Sequence, residues 1–595
     1  MKKIRRIYTR SMLALAVIGA ASCSIDEYNP SNANADEVWA TPEGFVTAVN
    51  GAYSELRSWY GKEDGIFMSE TGTDLWFNEP KNLTYARQLT KYEGLSAADG
   101  NPNKSGWKLL YSAINVCNAG IDRIGNAGFT DDNERKKREG ELRFLRGFYY
   151  WHVVETWGGV NLRIHETKDA ELTAVRSSVD AFYDQIISDL ELAADYLPND
   201  WGAEYSRATK KAALGVLARA YLSRAYYGGA NANTYFTKAR DIAQSVIDRK
   251  GEFKVDLSAK YADLWNSTTN NKKIGQANGE GLFVVSNSTN SALNYDGGVK
   301  GGNLLYPVFQ TTYYAFPGLI NSIDYGYDNS KRLMPTRALL KMYDETMDSR
   351  YTGSFQEVWI ANKADDPATS ADDRYKWNAT DVTKYGKDVS VTGDIMEVGK
   401  DTALLITKQE VVANEATKPY VIYDLNDIYG ADGKIKVTGQ SAPYVNLKKY
   451  IDLSRTTVSS TVGFNDVVVM RFAEMYMIAA EAEFNLGNLS SAATYINVLR
   501  TRAAIKAPVD QTANMQVDAG DITLDFILDE YAREFAGEYR RWFDLKRTRT
   551  LLDRVHTYNP DITQIQPFHV LRPVPNTEMT LLLNADEFGQ NEGYQ

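Results

Sequence analysis

The sequence predicts a mainly α protein: a superhelix of stacked helical pairs, interrupted by a large irregular insertion of loops and short strands. Two observations predict it. Long segments with apolar residues at three-and-four spacing come in pairs on both sides of the chain's middle, and between about Lys254 and Gly463 this periodicity gives way to Gly, Asn, Thr and Tyr with short alternating runs. With 595 residues, 44% of them hydrophobic and 24% charged, the chain has ample material for a core.

The elements follow in order. Lys2, Lys3, Arg5, Arg6 and Arg10 precede an apolar run from Met12 to Ala20 and the small residues Ala21 and Ser22, the layout of a secretory signal peptide. The run falls short of the roughly 20 residues that span a bilayer. Ala20-Ala21-Ser22-Cys23 resembles a bacterial lipobox, so residues 1–22 are read as the signal and Cys23 as the lipidated new N-terminus. Each buried CH₂ contributes roughly 0.8 kcal/mol, so several acyl chains anchor stably where one alone is marginal. Asp26 and Glu27 look like the acidic export tag of surface-exposed lipoproteins. Residues 23–35, with "NPSNANA", make a polar tether. Loss of the five signal cations and no acids takes the net charge from -11 to -16, which sets nucleic acid aside as a partner.

Residues 36–253 read as the first helical part. In "TPEGFVTAVNGAYSELRSWY", Phe45, Val46, Val49, Ala52, Tyr53 and Leu56 share a face, with Thr41 as N-cap and Pro42 at the first helical position. "GWKLLYSAINVCNAGIDRI" pairs with "NERKKREGELRFLRGFYYWHVVETWGG", and "SVDAFYDQIISDLELAADYLP" with "SRATKKAALGVLARAYLSRAYYGG", followed by "TYFTKARDIAQSVIDR". Residues 254–463 form the insertion, where "GLFVVSNS", "EVVAN" and "KPYVIYDL" read as short strands. Residues 464–595 return to helices: Gly487 is placed to end one in a left-handed cap and Ala492 begins the packed face of the next. Ala479, Ala480 and Ala482 let backbones approach closely, and this unit resembles a tetratricopeptide repeat in plan. Such units stack because none buries its apolar face alone.

Catalytic and metal motifs are sparse. The four histidines, His152, His165, His556 and His569, stand far apart, Cys117 sits in an amphipathic helix, and "DLNDIYGADGK" breaks the calcium-loop pattern at Ile428; no metal or cofactor is expected. Glu530, Glu534 and Glu538 step by four along "LDFILDEYAREFAGEYRRWFDLKR". A glycosidase needs two such carboxylates facing across a cleft with one pKa raised. Arg533, Arg540, Arg541 and Asp544 interleave with them, which predicts an ion-pair network and a structural clasp formed by Glu530, Glu534, Arg541 and Trp542.

Several segments in this order resemble the SusD/RagB family of outer-membrane nutrient-binding lipoproteins: "GWKLLYSAINVCN", "GELRFLRGFYYWHVVETWGGVNL", "RATKKAALGVLARAYL", "KRLMPTRALLKMYDETMDSRY", "RFAEMYMIAAEAEFNLG", "FILDEYAREFAGEYRRWFDLKRT" and "FHVLRPVPNTEM" with "GQNEGY". Tyr531 departs from the arginine more usual there. The resemblance implies a tetratricopeptide-like scaffold at the outer membrane, binding glycans without catalysis and capping a SusC-type TonB-dependent transporter.

A sugar offers an apolar C–H face and a rim of hydroxyls, so its site needs aromatic platforms flanked by polar side chains. Two regions offer that mix: "TDLWFNEPKN", with Asp74, Trp76, Asn78 and Asn82, and "LLYPVFQTTYYAFPGLINSIDYGYDN", with Tyr313, Tyr314, Tyr325 and Tyr327 beside Gln310, Asn321 and Asp324. The expected function is therefore glycan capture for a transporter. A peptide-binding or lid subunit and a glycoside hydrolase are the alternatives.

Overall fold

A computed structural model describes residues 35–77, 86–98, 102–266, 274–294, 301–327, 333–363, 374–439 and 441–594. The signal, Cys23, and Asn78 with Asn82 lie outside the described residues.

Helix α1 (Pro42–Ser54) starts as its sequence dictates: the Gly44 amide donates to Thr41 Oγ1 at 3.1 Å. After α2 (Glu63–Glu70) come α3 (Asn103–Arg123), α4 (Asp132–Trp157), α5 (Val179–Tyr196), α6 (Lys210–Tyr227) and α7 (Ala232–Asp248), each of the last four packed on the helix before it. Cys117 is buried in α3, and burial pushes its thiol far up, so it is an inert core residue.

The array then resumes across the insertion. Helix α8 (Ala473–Asn485) packs against α7 and pairs with α9 (Leu489–Ala503). Ala479, Ala480 and Ala482 are wholly buried at these contacts. Gly487, at φ +83°, closes α8 in a Schellman motif: its amide donates to Phe484 O at 3.0 Å and the Asn488 amide to Glu483 O at 2.8 Å. Helices α10 (Leu524–Phe535), α11 (Arg541–Arg547) and α12 (Leu551–Tyr558) finish the helical part. Among the described residues no helix is long and apolar enough to cross a membrane.

The insertion contributes strands that are tied into the core. Strand β1 (Trp76–Phe77) pairs antiparallel with β3 (Met334–Pro335), and β2 (Gly281–Val285) with β7 (Val467–Arg471), which leads into α8. Strands β4 (Val358–Ile360), β5 (Thr402–Ile406) and β6 (Val421–Tyr423) form one mixed sheet. All five residues of β2 are buried, and one continuous hydrophobic cluster runs from Trp39 to Tyr594, so the insertion shares the helical core. The segment "EVVAN" is not a strand; it forms a loop and turn between β5 and β6.

Candidate functional site

The two aromatic regions meet different fates. Strand pairing with Met334–Pro335 turns Trp76 inward: it is wholly buried, its Nε1 donates to Glu70 Oε2 at 2.9 Å, and its ring lies 5.0 Å from that of Phe309. Asp74 is equally buried between two guanidiniums, accepting from Arg541 Nε and Nη2 at 2.8 and 2.6 Å and from Arg554 Nε at 2.7 Å. Asp74 and Trp76 therefore cannot touch a ligand, which corrects the sequence expectation; they lock the segment after α2 onto α11 and α12. Burial alone would raise the Asp74 carboxyl, but Arg541 and Arg554 outweigh it and hold it low. Glu70 receives the Trp76 indole and the Arg540 and Arg541 amides, yet burial pushes it up to about 7.

The stepping glutamates form a separate network: among the described residues their ion-pair partners do not include Arg541, so the predicted four-residue clasp divides, with Arg541 on Asp74 and Glu530 and Glu534 on arginines mostly from outside their helix. Glu530 faces Arg350 at 2.8 Å, Arg500 at 3.0 Å and Arg533 at 2.8 Å; Glu534 faces Arg350 at 3.2 Å, Arg471 at 3.0 Å and Arg502. Only Arg533 lies on α10 itself, so most of the network is tertiary. Glu538 is off the helix altogether, because α10 ends at Phe535 and Gly537 turns the chain at φ +78°; it pairs with Arg471 and Lys449 at 2.8 Å each. Trp542 is wholly buried, with the Arg572 guanidinium 4.5 Å from its ring. Burial opposes the charge on Glu530 and Glu534, but the surrounding arginines prevail and keep both well below the usual range. A carboxylate held ionised so firmly is no general acid.

This network sets a pH prediction. A carboxyl depressed by folding binds fewer protons in the folded state, so its contribution is complete above its unfolded pKa of 4.5 and is lost toward its folded value of about 2 for Glu534. The melting temperature should fall steeply below pH 4.5. Glu70 has the opposite sign: it retains its proton when folded, so stability declines modestly as pH rises from 4.5 to about 7. A thermal scan from pH 3 to 8 should show both slopes around a maximum near pH 5, on the general scale of carboxylate titration.

The tyrosine region forms a surface. A short 3₁₀ turn, Tyr313–Ala315, points Tyr313 inward and leaves Tyr314 half-buried. Tyr313 is wholly buried: its hydroxyl donates to Gly326 O at 2.8 Å and accepts from the Ser322 amide at 2.9 Å. It is thus a support and not a platform. Tyr325, half-buried, accepts from the Ile360 amide at 2.9 Å and packs edge-on to Tyr313 at 5.5 Å. The structure brings Tyr314 and Tyr327 together as a parallel stack, with centroids 5.6 Å apart and planes 2° from parallel, both half-buried like Tyr325. Asp324 and Ile320, on the same segment, are exposed.

A residue that sequence reasoning missed fixes this face. Arg455 is buried over the Tyr306 ring at 4.5 Å and donates to Tyr306 Oη at 3.0 Å, to Asp452 O at 2.9 Å and to Ser322 O and Ile323 O at 3.3 and 2.5 Å. It thereby clamps the Ser322–Gly326 turn that carries Tyr325 and leads to Tyr327. Gly326, at φ +81°, has the Tyr306 ring 3.0 Å from where a Cβ would stand. Nothing in "DLSRTTVSS" signals this role. Elsewhere, Glu415, Asp424 and Asp427 bring carboxylate oxygens within 4.8 Å of one another, but Asp424 and Asp427 close the capping box of helix Leu425–Ile428.

A concavity of about 400 Å³, lined by none of the four tyrosines, lies between α3 and the C-terminal segment. Trp107, Tyr111, Arg163, Glu171, Met579 and Phe588 line it. Beside it, exposed Leu172, Val175, Leu581 and Leu583 gather on two loops joined by the Leu583 amide donating to Leu172 O at 2.7 Å.

The molecule is a helical-repeat scaffold that carries a half-buried pair of stacked tyrosines beside an arginine-clamped turn. Comparison places it more closely. The sequence pattern of the SusD family matches residues 309–594, and a second pattern, described as starch-binding associating with outer membrane, matches residues 48–222. SusD-like protein P2 of Formosa agariphila is 25% identical over the whole of both chains. Starch-binding protein SusD of Bacteroides thetaiotaomicron is 23% identical over 78% of this chain and 74% of its own. Among solved structures, a laminarin binding SusD-like protein superposes with a TM-score of 0.62 at 16% identity, covering 93% of this chain and 100% of that one. Surface glycan-binding protein A from Bacteroides thetaiotaomicron, in complex with laminarihexaose, gives 0.64 at 18%, covering 93% and 99%. The chain belongs to the SusD/RagB family, and the fold is the tetratricopeptide-like one of its structural neighbours.

Proposed function

We propose that this protein is a lipid-anchored, cell-surface glycan-binding lipoprotein that captures an oligo- or polysaccharide and delivers it to a SusC-type TonB-dependent transporter. The observation that carries the reading is the Tyr314–Tyr327 parallel stack, half-buried beside the turn that Arg455 clamps, since paired aromatic rings offer an apolar platform to the C–H face of a sugar. Relatives named for starch, laminarin and laminarihexaose support a neutral glucan as ligand. The anionic chain, at -11 before loss of the signal, favours an uncharged glycan over an acidic one. Cys23 supplies the anchor in this reading, and holding the site beside a pore raises the effective concentration of captured sugar.

The exposed Leu172, Val175, Leu581 and Leu583 support the partner half of the reading, since contiguous exposed apolar surface marks a contact with protein or membrane. Leu581→Asp with Leu583→Asp should abolish co-purification with the transporter and leave glycan binding unchanged; retained co-purification would move the contact elsewhere. The function itself is tested by titrating the chain that begins after Cys23 against starch, laminarin and other plant, host and microbial glycans, with a reducing-end assay on the same mixtures. Binding with no new reducing ends is the expected result. Release of reducing ends would make the protein a hydrolase, and no binding to any glycan would favour a peptide-binding or lid subunit.

A further inference from the structure

The concavity between α3 and the C-terminal segment has an aromatic wall. Trp107 and Tyr111, one turn apart on α3, line it with ring centroids 4.8 Å apart, and Phe588 and Met579 line it as well. Asn161 and Glu578 are also in the lining, and among the described residues neither side chain has a hydrogen-bond or ion-pair partner. A side chain that combines an aromatic ring with a hydroxyl suits such a place, since the ring packs on the wall and the hydroxyl donates to either acceptor.

The chain itself carries such a side chain within reach. Residues 24–34, "SIDEYNPSNAN", lie outside the described residues; Tyr28 is their one aromatic, and Asp26 and Glu27 precede it. The described chain begins at Ala35, and Asp36 Oδ1 accepts from Arg123 Nη1 at 2.5 Å, at the C-terminal end of α3. Ser112, which lines the concavity, stands eleven residues before Arg123 on that helix, which is about 17 Å along the axis and about 20° around it. Both therefore lie on one face of α3. Tyr28 is seven residues before Ala35, and an extended chain of that length spans about 24 Å.

Charge continues the same line. Lys104 and Lys108 precede Ser112 at steps of four on α3, so the three side chains form one exposed row. Neither lysine has an ion-pair partner among the described residues, whereas Arg163 in the same lining is engaged by Glu171 at 3.1 Å. A chain that runs back from Ala35 along this face and sets Tyr28 at the concavity carries Glu27 and then Asp26 onward over those lysines.

We propose that residues 26–28 dock on α3 of their own chain: the Tyr28 ring occupies the concavity against Trp107 and Tyr111, its hydroxyl donates to Glu578 or Asn161, and Glu27 and Asp26 pair with Lys108 and Lys104. The segment that joins Cys23 to the folded body is then a fixed strut, and it sets both the distance and the side from which Cys23 leaves the protein. That side is the one bearing the exposed Leu172, Val175, Leu581 and Leu583, since Leu581 itself lines the concavity. The docking depends neither on the glycan reading nor on lipidation of Cys23.

Paired cysteines in the chain that begins after Cys23 test it, because Cys117 is buried and inert. Asn29→Cys is combined with Ser112→Cys in one protein and with His165→Cys in another. The His165 side chain is 77% exposed and lies 3.0 Å from Asp122, beside the Arg123 that holds Asp36, so it is the nearer target for an undocked segment. The Ser112→Cys pair should nevertheless oxidise several-fold faster, and Tyr28→Ser should remove that excess. A His165→Cys pair that oxidises as fast or faster would overturn the proposal, as would an excess that survives Tyr28→Ser. In the unsubstituted chain, chymotryptic cleavage after Tyr28 should be several-fold slower than in Ser112→Trp, whose indole fills the mouth of the concavity. Equal cleavage rates would overturn the docking and leave the concavity to a side chain of a partner protein. If Ser112→Trp does not fold, the cysteine pairs decide.

Discussion

Asp74→Ala should destabilise the protein more than any substitution on its surface. The change leaves Arg541 and Arg554 as buried guanidiniums without their shared carboxylate, although Arg541 keeps Leu528 O and Arg554 keeps Asp525 and Asp529. Removing one member of a buried pair costs about 3 to 5 kcal/mol. Unfolding entropy grows by about 2 cal/mol/K per residue, so in so long a chain this becomes a fall of only a few degrees in melting temperature. The urea midpoint is the more sensitive readout. Arg541→Ala should act in the same direction by a similar amount. Glycan affinity of whatever Asp74→Ala protein folds should be unchanged, because the clasp lies inside the molecule; wild-type stability in both variants would show that the clasp is not structural.

Arg455→Ala should produce the largest loss of binding from a residue that touches no ligand. Its guanidinium donates to carbonyls at Asp452, Ser322 and Ile323 at once, and those hydrogen bonds hold the turn beside the aromatic pair. Without them the rings must be ordered on binding, and ordering side chains and loops at an interface costs about 0.5 to 1.5 kcal/mol for each group immobilised. An affinity loss of about tenfold corresponds to 1.4 kcal/mol, so at least that factor is expected. Arg455→Lys should recover little, since one ammonium cannot reach carbonyls on both sides of the turn. Calorimetry reads the effect. Full affinity in Arg455→Ala would mean that the turn holds its shape without the clamp.

Local patterning made much of the architecture legible. The caps at Thr41 and Gly487, the paired helices and the change of texture in the middle all follow from short-range chemistry, and the helices stand where the periodicity puts them. What the sequence hid is set by distant partners. Trp76 reads as a loop aromatic because the residues that bury it, Met334 and Pro335, lie far along the chain. Glu538 reads as the third step of a helical row, and only the turn at Gly537 removes it. Of the four tyrosines, alternation could not decide which would face out, because a 3₁₀ turn and a tight turn, not a strand, carry them. Arg455 carries no local signal, since an arginine among serines and threonines looks like solvated surface until the carbonyls it reaches are known.

In the proposed function the glycan binds at the Tyr314–Tyr327 pair. The most direct measurement is a calorimetric titration of the wild-type chain and of the Tyr314→Ala/Tyr327→Ala double variant with the tightest-binding glycan of the panel, beside thermal scans of both. Loss of at least tenfold in affinity, about 1.4 kcal/mol, with an unchanged melting temperature is the predicted result. Equal affinity in the two proteins would contradict the claim and place the sugar elsewhere on the molecule.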